Sequence, residues 1–209
     1  MDQSGPEPQT GNTGRVNAPD VATLYFDLGS PYAYLALERA EAVLGRAPEL
    51  EPVLLGAIFA WRGHGSWGRT DQRAAGMTEI ERRARRCGLP PLVWPAAWPT
   101  DGLAAMRAAT WAAQQGRAGP FARAVFRRQF AEGGDIADPA VLADCAVRAG
   151  LSPADMSAAV SDPEVKDALR LATQRAWDAG VRGIPSLRVG SAIFYGDDRL
   201  EAAAADLAG

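Results

Sequence analysis

Ser30 stands where an apolar run gives way to a helical pattern, in the stretch FDLGSPYAYLALERA at residues 26–40. A hydroxyl at such a junction has two uses. Its oxygen can accept an orphan amide of the helix's first turn, and Pro31 there has no amide to lose. The junction also carries the positive end of the helix dipole and favours anions, thiolates included; a hydrogen bond to a sulfur's charged form lowers that sulfur's pKa. Ser30-Pro31-Tyr32-Ala33 has no sulfur of its own. Thiol chemistry here therefore needs a nucleophile that arrives with a ligand.

Two other stretches could complete such a site. Gly183-Ile184-Pro185-Ser186 precedes a strand pattern. A proline at a strand entrance can be cis and leave the preceding backbone turned outward, ready to pair with an extended peptide, though the tetrapeptide reads equally as a strand-initiating turn. Phe194-Tyr195-Gly196-Asp197-Asp198-Arg199-Leu200 opens the last helix. One aspartate there can cap the helix, the other can meet an ammonium group, and the helix amides can hold a carboxylate. Taken alone, capping explains the segment. His64, the only histidine, is a candidate polar contact or acid–base group, and equally a loop residue in solvent. Cys87 and Cys145 lie far apart with no CxxC pairing, so both read as unreactive thiols, and no metal site is expected.

These groups have to be placed by a folded chain, and the pattern supplies one. VATLYFD, residues 21–27, reads as a buried strand, followed from Pro31 by helical spacing that Gly45 stops. ELEPVLL, residues 49–55, reads as a second strand, with Pro52 favouring an edge. Strand, helix and strand in this order make a right-handed βαβ unit. A Gly-rich loop, FAWRGHGSWGRT, then leads to helices expected at 71–87, 103–115, 118–131, 138–149, 153–160 and 163–179, two of them opened by Asp-Pro. ERRARRCG, residues 81–88, reads as a solvated helix face, and the proline-rich link 88–102 as an irregular wall. IPSLRVGSAIFYG gives a hairpin at 186–189 and 192–195, and DDRLEAAAADLA closes the chain as a helix capped by aspartate.

The order βαβ, helices, ββα defines an α/β fold, a thioredoxin-like sheet with a large α-helical insertion between its halves. The expected division is a disordered tail at 1–19, a sheet domain at 20–56 and 181–209, and an inserted loop and helical domain at 57–180. Ligands of such sheets gather where a strand's carboxyl end meets a helix N-terminus. Ser30 falls at that mouth, where oxidoreductases of this fold carry Cys-x-x-Cys. At 209 residues, 47% apolar and 22% charged, the composition is that of a globular chain. The net charge of −3 gives no reason to expect nucleic acid or a membrane surface. With no secretory pattern or membrane-spanning run, a cytoplasmic location is expected.

SPYAYLA, LLGAIF, GIPS and FYGDDRLE together resemble the 2-hydroxychromene-2-carboxylate isomerases, grouped with kappa-class glutathione transferases and related to DsbA oxidoreductases. The resemblance covers about residues 21–207, with LLGAIF and GDDRLE its more specific parts. It implies a dimeric, glutathione-dependent isomerase, or a kappa-like transferase, acting on a small aromatic or hydrophobic electrophile. Ser30 would lie beside the cofactor sulfur and Ile184, before a cis Pro185, would pair with the cysteinyl backbone. Asp197 and Asp198, with Arg199 after them, would hold the γ-glutamyl end. The chain also departs from the family. Where a Lys-Ala-Thr-Gly-Asn-like stretch is usual it has Ala60-Trp61-Arg62-Gly63-His64, so His64 replaces an asparagine that contacts glutathione. A family lysine falls near Gln72 or Arg73, which could restore the charge, and Asp101 stands where a Phe-Pro-x-Asn turn ends in asparagine. Trp61, Trp67, Trp94 and Trp98 are candidates for an aromatic cleft wall. Another low-molecular-weight thiol could therefore replace glutathione. The alternatives are a thiol oxidoreductase working through Cys87 or Cys145 and a non-catalytic binder of thiol peptides.

Overall fold

A computed structural model describes residues 21–208; the tail expected at 1–19 lies outside them. Strand β1 (Thr23–Phe26) is buried along its whole length. Helix α1 (Pro31–Leu44) follows and ends at Gly45, whose φ of 71° is open to glycine without steric penalty. β2 (Glu49–Pro52) pairs in parallel with β1, Thr23 opposite Glu49 and Phe26 opposite Pro52. After the helices, β3 (Ser186–Val189) runs antiparallel to β1, and β4 (Ala192–Tyr195) antiparallel to β3. The sheet order is β2-β1-β3-β4, so Pro52 does lie on an edge strand.

Between the halves of the sheet run α2 (Leu55–Arg62), α3 (Arg73–Arg86), α4 (Leu103–Gln114), α5 (Ala118–Phe130), α6 (Pro139–Arg148), α7 (Pro153–Ser161) and α8 (Pro163–Asp178), with α9 (Leu200–Ala208) at the end. Both Asp-Pro helix starts form as expected: Asp138 accepts from the Ala140 amide and Asp162 from the Glu164 amide, each at 2.8 Å. Such caps contribute about 1 kcal/mol each.

The inserted helices share the core of the sheet. Phe26 of β1 and Tyr34 of α1 meet Phe126 of α5 with ring centroids 6.3 and 6.1 Å apart, and Tyr34 meets Phe130 at 5.6 Å. All four are fully buried, each stabilising the fold by roughly 1.5–3 kcal/mol. The Leu28 amide, just past β1, donates to Met106 Sδ of α4 at 3.1 Å.

Two expectations are corrected here. The second strand ends at Pro52, three residues short of the expected 55, and α2 begins at Leu55 within the supposed strand and Gly-rich loop. Leu54 offers no side chain to cap that helix. The amides are satisfied from afar instead, Leu54 donating to Thr173 Oγ1 at 3.0 Å and Leu55 to Asp27 Oδ2 at 2.8 Å. The last helix, moreover, has no aspartate cap: residues Asp197–Arg199 form a 3-10 turn entered from Gly196, and Asp197 is engaged elsewhere.

Candidate functional site

The turn from β1 into α1 is built by Asp27. Its Oδ1 accepts from the Gly29 amide at 2.8 Å while its Oδ2 holds Leu55. Burial pushes this carboxyl above its ordinary pKa, and the two amide bonds pull it back by less. Ser30 is thereby placed as N-cap, its Oγ accepting from the Ala33 amide at 3.3 Å. It is 3% exposed and lines a cleft of about 530 Å³.

Ile184 and Pro185, joined by a cis peptide bond, line the same cleft. The loop is held by Ser186 Oγ donating to the Gly183 carbonyl at 2.7 Å, and by the Gly196 amide donating to the Pro185 carbonyl at 3.0 Å. Among the described residues no hydrogen bond reaches the Ile184 amide or carbonyl. Tyr195 packs against Gly183, where a Cβ would come within 2.4 Å of its ring.

Asp197 and Asp198 line the same cleft, but Asp197 faces a residue that sequence reading left in solvent. Arg83 of α3 donates from Nη1 to Asp197 Oδ1 at 2.7 Å and from Nε to Glu79 at 2.8 Å, and its guanidinium sits 5.4 Å from the Tyr32 ring centroid. Burial raises the Asp197 carboxyl and outweighs the opposing charge of Arg83. For Arg83 itself burial works downward, yet the Glu79 bond and the Asp197 charge raise the guanidinium further. A signal for Arg83 existed: Ile80 and Ala84, the buried residues of α3, lie three positions before and one after it, so helical spacing turns position 83 inward with them.

The remaining candidates divide. His64 is exposed at the cleft, its ring 5.1 Å from Phe59. Arg199 is exposed and is not among the residues that line the cleft. Arg73 does not supply a cleft charge either: Nε and Nη2 both donate to the Trp98 carbonyl, at 3.1 and 2.8 Å, and so brace the wall from behind. Trp67 and Trp98 form the aromatic wall, 5.2 Å apart, with Tyr32 edge-on to Trp67 at 6.4 Å. Trp94 backs Trp98 at 4.7 Å, whereas Trp61 packs on Trp177 away from the cleft. Asp101 takes the Leu103 amide at 2.9 Å and lines an adjoining cavity of about 750 Å³, which shares Gly29, Leu55, His64 and Pro99 with the first.

No cysteine lines either space. Cys145 is buried in α6, and burial pushes its thiol up to about 11; Cys87 follows the C-terminal end of α3. Among the described residues there is no group of three or more His, Cys, Asp or Glu that could hold a metal ion, and no helix long and apolar enough to cross a membrane.

The sheet, the helix-capping residue at its first βα turn and the cis-proline loop lining the same cleft define a thioredoxin-like protein with serine in the sulfur position. Residues 22–208 match the family model of the DsbA-like thioredoxin domain, and the chain belongs to that family. It is 29% identical over 191 residues to a 2-hydroxychromene-2-carboxylate isomerase of Sphingobium xenophagum, covering 85% of this chain and 92% of that protein. Among solved structures, a 2-hydroxychromene-2-carboxylate isomerase superposes with a TM-score of 0.78 at 21% identity, over 90% of this chain and 94% of the other. The cytosolic disulfide reductase DsbM of Pseudomonas aeruginosa, solved with GSH, gives 0.60 at 19% identity, over 90% and 97%.

Proposed function

We propose that this chain is a cytoplasmic, glutathione-dependent isomerase of the 2-hydroxychromene-2-carboxylate type, acting on a small aromatic α-keto acid. The observation that carries the reading is Ser30: a hydroxyl at a helix N-terminus, in a cleft that Ile184 and Pro185 also line, with no cysteine lining it. The isomerase from Sphingobium xenophagum supports the reaction type. The residues suit a bound thiol peptide. Ile184 offers an amide and a carbonyl that no described residue uses, the pairing an extended peptide needs.

When bound, the thiol supplies a nucleophile whose reversible addition to a conjugated carbon makes a double bond transiently single, so that it turns before elimination restores it. The chain's own part is electrostatic and steric. Ser30 and the first amides of α1 stabilise a negative sulfur. Ile184 fixes the peptide's register, while Trp67 and Trp98 give an aromatic ring a surface and keep water from it. His64 lines both cavities, and in this reading it supplies a polar contact to the bound thiol or an acid–base group.

Turnover of a chromene carboxylate, followed with and without glutathione, tests the proposal. The expected result is a rate that requires the thiol and falls with Ser30→Ala. Equal rates in both conditions would end the reading, and so would insulin reduction that disappears with Cys87→Ser.

A further inference from the structure

The Arg83 guanidinium has five N–H donors in a planar fork. Glu79 takes Nε at 2.8 Å and Asp197 takes Nη1 at 2.7 Å, with Asp198 at 3.9 Å from the same nitrogen. Among the described residues no acceptor takes Nη2. The side chain is 25% exposed, rests over Tyr32 and lines the cleft. Asp197 is only 4% exposed, and its Oδ1 is already taken by the fixed positive charge of Arg83. An ammonium group seeking Asp197 would meet a carboxylate almost closed to solvent, beside a guanidinium that Glu79 and the Tyr32 ring also hold. Asp198 is left as the other carboxylate at this end, and at 66% exposure its pull on a cation is screened by water.

We propose that Arg83, rather than Asp197, is the charge this end of the cleft presents, so that a thiol peptide is recognised there by the α-carboxylate of its γ-glutamyl residue and the ammonium group of that residue is dispensable. The inference rests on the thiol-peptide reading above. A carboxylate approaching Nη2 meets an oriented, partly desolvated donor whose position is already fixed from two other sides. Recognition at this end is then by anion, with the buried aspartate serving as the arginine's counter-ion.

The test is calorimetric titration of the full chain with four ligands: glutathione, its analogue lacking the γ-glutamyl amino group, its amide at the γ-glutamyl α-carboxylate, and its amide at the glycyl carboxylate. The deaminated and glycyl-amidated peptides are expected within about threefold of glutathione, and the γ-glutamyl amide weaker by roughly tenfold or more. Arg83→Gln should bind glutathione and its γ-glutamyl amide alike. A deaminated peptide that binds roughly tenfold weaker, or an α-amide that binds as well as glutathione, overturns the role of Arg83 while leaving the thiol-peptide reading standing. If glutathione itself gives no binding, that reading falls and the inference falls with it. Should Arg83→Gln not fold, the four ligands on the unsubstituted chain still decide the matter.

Discussion

Arg83 and Asp197 meet at 2.7 Å across a sequence separation of 114 residues, and the bond ties the inserted helices to the start of the last helical segment at the rim of the cleft. The carboxylate side is buried and the guanidinium side partly open, so removing one partner leaves the other uncompensated without the full cost of a deep site. Arg83→Met is expected to destabilise the chain by about 2 kcal/mol, between the values for exposed and for buried pairs. Combining it with Asp197→Asn in a double-mutant cycle, read by urea unfolding, should recover part of that loss; strictly additive losses would show that the two do not interact.

Ser30 has a structural use and, on the reading proposed above, a chemical one, and two substitutions separate them. Ser30→Ala should lower stability by about 1 kcal/mol through the lost cap, whereas glycine at an N-cap costs only a few tenths. Both remove the hydroxyl, so both should raise the pKa of a bound thiol equally, as followed by thiolate absorbance near the ultraviolet edge. A pKa shift that tracks the stability loss instead of the hydroxyl would mean that Ser30 acts only by holding the helix.

Gly76 lies within α3 where a Cβ would meet the Trp67 ring at 2.3 Å. In an open helix alanine would gain up to about 1 kcal/mol over glycine. Here Trp67 is wedged against Trp98 and Tyr32, and overpacking of this kind costs about 1–3 kcal/mol. Gly76→Ala should therefore destabilise on balance and, on the reading proposed above, lower the affinity for the thiol peptide as the aromatic wall shifts. A higher melting temperature would contradict this packing.

Asp27 gives the stability curve a definite sign. Its folded pKa is raised by burial above the ordinary 3.8, so the folded chain binds the proton more tightly than the unfolded chain. Stability should fall as pH rises from about 4 through the raised folded value. Asp27→Asn removes that dependence while losing one of two amide bonds. Its penalty in urea unfolding is thus expected to be larger at low pH and smaller near neutrality, and a penalty independent of pH would refute the linkage.

Local patterns carried most of the fold. The helices on either side of Gly116 and those opened by Asp138 and Asp162 declare themselves through periodicity and caps within a few residues. The hairpin at 186–189 and 192–195 turns at Gly190, whose φ of 54° suits glycine. Sequence reading failed where a distant partner does the work. Helix α2 starts at Leu55 because Asp27 and Thr173 satisfy its first amides, and nothing in LLGAIF announces either. Ser30, Ile184, Pro185, Asp197 and Asp198 were found through motifs, and the structure brings them to one cleft. Arg83 is hidden in ERRARRCG because the charge of that run masks its place on the apolar side of the helix, beside Ile80 and Ala84.

The Ser30 hydrogen bond also sets a polarity within a single atom. Its oxygen directs electron density toward the Ala33 amide, at the electropositive end of α1. A hydroxyl used in this way is a poorer base and a better acid, so what it offers to the cleft is its proton. On the reading proposed above, the site thus suits electron-rich ligands and is ill-suited to abstracting a hydrogen from them or to attacking them itself.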